Sequence, residues 1–125
     1  MRYLLLLLAI LMMGVLIVTP SHKDDYYVMD TGSFNQNIYV FITEATNMVR
    51  SYSSEMVFDG AACTVEGDNI MVWFPKKPDA ALLAHEMQHV TYALFKNIGV
   101  PHTSDTDEVY AYEIQYLINK FGNIK

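Results

Sequence analysis

The sequence predicts an α+β domain over residues 37–125, set behind an apolar segment at 1–20 and a polar tether at 21–36. Three observations carry this. The run Asn37–Thr43 is rich in β-branched and aromatic residues, as strands are. Two further apolar runs, Ala61–Val65 and Asn69–Phe74, flank the turn formers Glu66-Gly67-Asp68 and read as a β-hairpin. Two longer segments of helical period follow, starting near Ala80 and Thr106. Strands grouped ahead of the main helices argue for α+β rather than for alternating βαβ units around a parallel sheet.

The first segment opens with Arg2 and continues with sixteen uncharged residues, Tyr3–Val18. Such a stretch is a secretory signal or a single membrane anchor. Thr19-Pro20-Ser21 is the one near match to a cleavage site, and its proline makes it poor; no cysteine follows the run, as a lipoprotein signal requires. The expectation is a single-pass anchor through residues 3–18. Arg2 on the cytoplasmic side places the domain outside the cytoplasm, with Lys23 on the far flank weighing against that orientation. Cleavage would export the domain to the same side.

Ser21–Gln36 is polar and rich in turn formers, hence the tether. Glu44–Met56 fits a short helix with Ala45, Met48, Val49 and Tyr52 on one face. Pro75-Lys76-Lys77-Pro78 interrupts the hairpin's second strand and reads as a solvated turn. Asp79 is placed to cap a helix from Ala80 to about Asn97, with Gly99 as its stop and Pro101 beyond. His102–Glu108 is a polar loop, and a last helix runs from about Thr106 to Phe121.

Composition narrows the function. The chain has 125 residues and a formal charge of −6, with no run of basic residues beyond Lys76-Lys77, so it is poorly suited to grip a phosphate backbone and nucleic acid is not an expected partner. Cys63 is the single cysteine, so no internal disulfide can form and the core must hold the fold. Its setting in Ala61-Ala62-Cys63 reads as a buried small residue rather than a reactive thiol.

Chemistry concentrates in His85-Glu86-Met87-Gln88-His89, inside the helix predicted from Ala80. Histidines four apart project from one helix face roughly 6 Å apart, and both can reach one zinc ion. Glu86 lies about 100° around the helix from His85. It is badly placed as a ligand and well placed to reach a water at the ion as general base. The alternative is a surface helix that merely carries two histidines. Against it, Leu82, Leu83, Val90, Ala93 and Leu94 leave much of the helix apolar, with Thr91 a small departure from that pattern.

A catalytic zinc usually has three protein ligands. The last helix offers Asp107, Glu108 and Glu113, and Glu108 is the choice. It aligns with Tyr112 and Tyr116, away from the stripe Tyr110, Ile114, Leu117 and Phe121 that reads as core. Its competing role is a capping box with Asp105, which would turn the carboxylate back to the helix start.

His-Glu-x-x-His with a glutamate on the next helix resembles the gluzincin branch of the zincin metallopeptidases. The stretch LLAHEMQHVTYALFKNIGV…DEVYAYEIQYL is also similar to small metallopeptidase-like proteins encoded by bacteriophages and bacteria. The likeness covers about Ile70–Phe121. It implies a minimal zincin-like fold, a small antiparallel or mixed sheet with an active-site helix and a glutamate helix. It also implies zinc on His85, His89 and Glu108, Glu86 as base, and hydrolysis of a peptide or protein substrate. The strand Ile70–Phe74 is expected beside the site, its edge open to an extended peptide. Tyr110, Tyr112, Tyr116 and His102 are candidate oxyanion donors, each with a packing or loop role as the alternative. The competing function is a membrane-anchored or exported binding protein that keeps a zinc site without catalysis.

Overall fold

The computed structural model describes residues 25–29, 31, 34 and 36–124. The apolar segment read as signal or anchor lies outside the described residues; among these, no helix is long and apolar enough to cross a membrane. The described elements are β1 (Tyr27–Met29), β2 (Asn37–Ile42), α1 (Thr46–Tyr52), β3 (Ala62–Glu66), β4 (Asn69–Phe74), α2 (Ala80–Asn97) and α3 (Asp107–Phe121). The class is α+β, as the order of apolar runs predicts.

The four strands form one mixed sheet in the order β1-β2-β4-β3. β4 pairs parallel to β2 and antiparallel to β3, so it runs through the middle of the sheet. Its composition explains the position. Ile70 to Phe74 are all buried, because both faces of a central strand are covered and it can carry a continuous apolar run. Ile70, Val72 and Phe74 point to one face, where they meet Met87, Val90 and Leu94 of α2 and Leu117 and Phe121 of α3. Met71 and Trp73 point to the other, against Phe41, Val49 and Met56. The molecule therefore has three layers: α1, the sheet, and the α2–α3 pair.

The tether reading needs one correction. Tyr27–Met29 is a strand, paired antiparallel with Ile38–Val40 of β2, and Met29 is part of the core. Part of the stretch read as tether thus belongs to the domain. The hairpin is as expected. Glu66 pairs with Asn69 across the two-residue loop Gly67-Asp68. Gly67 has φ +59° and, among the described residues, no non-glycine has a positive φ, the pattern of a type II′ turn, in which a side chain at the first loop position would be strained.

α2 begins where Asp79 accepts a hydrogen bond from the Leu82 amide at 2.8 Å. It ends in a Schellman motif: Gly99, at φ +76°, donates to the Lys96 carbonyl, and the Val100 amide donates to the Phe95 carbonyl at 2.9 Å. Thr91, the polar departure in the apolar pattern, is fully buried, and its hydroxyl donates to the Met87 carbonyl at 2.8 Å, so its burial leaves no hydroxyl unsatisfied. α3 packs on α2 through Tyr110, whose ring stacks on Phe95 at 4.2 Å and whose hydroxyl donates to the Val100 carbonyl at 2.8 Å. The capping box does not form. The helix starts at Thr106 without a side-chain cap bond, because the Thr106 hydroxyl donates to the Pro101 carbonyl at 2.6 Å.

Leu94 is fully buried between the helices and the sheet. Leu94→Ala should lower stability by about 2–5 kcal/mol in urea unfolding, whereas Val109→Ala on the exposed side of α3 should change it by less than about 0.5 kcal/mol.

Candidate active site

The phase of α2 decides which of its groups are exposed. Met87, Val90 and Leu94 are fully buried against the sheet, so His85 and His89 are turned to the outer surface. Their Nε2 atoms lie 3.2 Å apart, with the rings in an edge-on arrangement at 4.8 Å between centroids. That separation is a hydrogen-bond contact between the two rings, and both histidines line a cavity of about 580 Å³.

Glu86, one residue on, is rotated toward β3 and is 4% exposed. It lines the same cavity, and its Oε2 is buried without a hydrogen-bond partner among the described residues. A buried polar atom left unsatisfied costs free energy, and a carboxylate costs more. No packing need explains an acid in this place.

β3 forms the opposite wall. Ala61 and Cys63 share the face turned to α2, and the loop between α1 and β3 adds Glu55, Val57 and Asp59. Cys63 is half-buried, and burial pushes its thiol from an ordinary value of 9.0 to about 12, with the negative charge of Glu86 acting in the same direction. It is a neutral thiol across physiological pH, in keeping with a packing residue.

The edge expectation is overturned. β4 has β2 on one side and β3 on the other, so its backbone groups are already paired. β3 is the strand with a free edge beside the cavity.

Glu108 is not brought to the histidines. It is exposed, as is Tyr112 one turn along at 64%, and it does not line the cavity. Stacking of Tyr110 on Phe95 sets the level of α3 against α2. Phe95 is roughly 9 Å along α2 from His89, and Glu108 sits at the α3 start beside that end. Asp107 is held by His102 at 2.8 Å. Glu113 is half-buried with its Oε1 shielded from solvent, and it too is absent from the cavity wall. Among the described residues, no three His, Cys, Asp or Glu side chains are drawn together closely enough to hold a metal ion.

None of the four candidate oxyanion donors lines this cavity. Tyr110 gives its proton to Val100, and desolvation raises its pKa. His102 is tied between Asp107 and the Tyr92 hydroxyl, 3.2 Å away, and Tyr116 lies under the Lys120 ammonium at 5.3 Å. The wall residues the sequence reading missed are Glu55 and Asp59. Nothing local marked them, since they reach the cavity only because their loop is anchored to β3.

Two measurements test this description. Glu86→Leu should raise the stability of the metal-free protein by about 1–3 kcal/mol in urea unfolding, since it removes an unsatisfied buried acceptor; a loss of stability would show that the carboxylate has a structural partner. Because the Cys63 thiol is raised in the folded state, the unfolded chain ionises first, and stability should fall as pH rises from about 9 toward 12. The Cys63-dependent part is about 1.4 kcal/mol at pH 10 and should be missing from Cys63→Ala.

Comparison with protein-family models, with curated proteins and with solved structures finds no match to this chain.

Proposed function

We propose that the chain is a zinc-dependent peptidase of the gluzincin type, with His85 and His89 as metal ligands and Glu86 as general base. The observation that carries this reading is the 3.2 Å separation of the two Nε2 atoms beside the buried Glu86 carboxylate. Two nitrogens bound at zinc distances and a tetrahedral angle stand roughly 3.3 Å apart. The pair thus fits one ion without rearrangement of the helix. Zinc held there would polarise a peptide carbonyl and acidify a water.

Glu86 is the residue that would take a proton from such a water and return it to the departing amine. Its burial keeps solvent from competing for that proton, and its rotation away from the histidines keeps it out of the ligand set. The free edge of β3 can pair with an extended peptide and lay it along the cavity, the role first expected of β4. Glu108 as third ligand is supported by the resemblance alone. The apolar stretch at 3–18 supports action outside the cytoplasm, anchored or exported.

A second reading, a binding protein that keeps a zinc site without catalysis, is favoured by the convergence of two donors rather than three among the described residues. The variants separate the two. In the peptidase reading, Glu86→Gln keeps one zinc per chain by metal analysis and hydrolyses peptides slower by on the order of 10²–10⁴-fold, while His85→Ala loses the zinc. Equal hydrolysis by Glu86→Gln and the parent would remove Glu86 from the mechanism. Zinc binding with no hydrolysis by the parent would leave the second reading.

A further inference from the structure

The cavity beside His85 and His89 has a one-sided charge. Its lining includes Glu55, Asp59 and Glu86 and contains no lysine or arginine. Glu55 and Asp59 are exposed on the loop facing α2, and neither side chain makes a hydrogen bond or ion pair with a described residue. Nearby groups do not neutralise them. Arg50 lies over the Phe58 ring at 5.1 Å, Glu66 accepts the Ser53 hydroxyl at 2.7 Å, and Lys77 lines a different cavity beside Phe121 and Ile124. A separate observation points to the same ligand. Glu86 is buried, lines this cavity and carries an Oε2 without a partner among the described residues. The same lining includes the apolar side chains of Val57, Ala61, Val65 and Ala93.

A long side chain with a methylene stem and a cationic end matches this lining: the stem lies on the apolar wall and the head reaches the carboxylates. We propose that the site selects peptides with a lysine or arginine next to the bond to be cut, and that Glu55 and Asp59 are the residues that recognise the cation. The inference rests on the peptidase reading for the position of that residue relative to the cut bond. Recognition itself depends only on the charged wall.

The test uses the full-length Glu86→Gln protein, so that peptides bind without being cut, and a short fluorescent peptide in which each position in turn is lysine, norleucine or glutamate. Binding is followed by anisotropy. At one position lysine should bind about tenfold more tightly than norleucine, the gain of a charge-assisted hydrogen bond, and glutamate more weakly than either. The preference should shrink with added salt and vanish when Glu55→Gln and Asp59→Asn are added. Equal binding of lysine and norleucine peptides at every position overturns the proposal, as does a lysine preference unchanged in the triple variant. Hydrolysis by the parent is measured separately. Cleavage without basic preference defeats this inference and leaves the peptidase reading standing. Glu55- and Asp59-dependent lysine binding without cleavage does the reverse.

Discussion

Packing of α2 on the central strand sets everything else. Met87, Val90 and Leu94 are fully buried against Ile70, Val72 and Phe74, and that contact fixes the rotation of the helix about its axis. Once the phase is set, geometry assigns the rest at about 100° per residue. His85 and His89 must face outward, and Glu86 must face the space between helix and β3. The Asp79 cap and the Gly99 stop hold the helix in place along its axis. A slip of one residue would exchange a histidine with a core position, which the core could not accept.

The same contact explains why an acid is tolerated inside. A carboxylate without a hydrogen bond opposes folding, and the large apolar surface shared by β4, α2 and α3 offsets it. Glu86 is thus a local weakness held by a strong surround. Cys63 contributes to the low-polarity setting on the other wall, where its thiol stays neutral. Glu55 and Asp59 stand further out, where exposure makes their charge inexpensive and available to a ligand.

Local signals were readable and relations between distant elements were not. The bounds of α2 follow from Asp79 and Gly99, the hairpin from Gly67-Asp68, and the α3 core stripe from the spacing of Tyr110, Ile114, Leu117 and Phe121. β1 was missed because three residues in a polar stretch become a strand only by pairing with β2. The free edge was assigned to β4 rather than β3 because the parallel β2–β4 pairing is a tertiary choice with no local mark. For Glu108, phase gave a direction, away from the α3 core stripe, but not a depth. Stacking of Tyr110 on Phe95 sets that depth and leaves Glu108 near the far end of α2.

In the proposed peptidase the two imidazole nitrogens 3.2 Å apart share one zinc ion. Zinc X-ray absorption on the purified full-length protein tests it most directly. The expected result is nitrogen or oxygen ligands at about 2.0–2.1 Å, with outer-shell scattering from two imidazoles that falls to one in His89→Ala. A protein that binds no zinc, or a zinc spectrum unchanged when either histidine is removed, would contradict it.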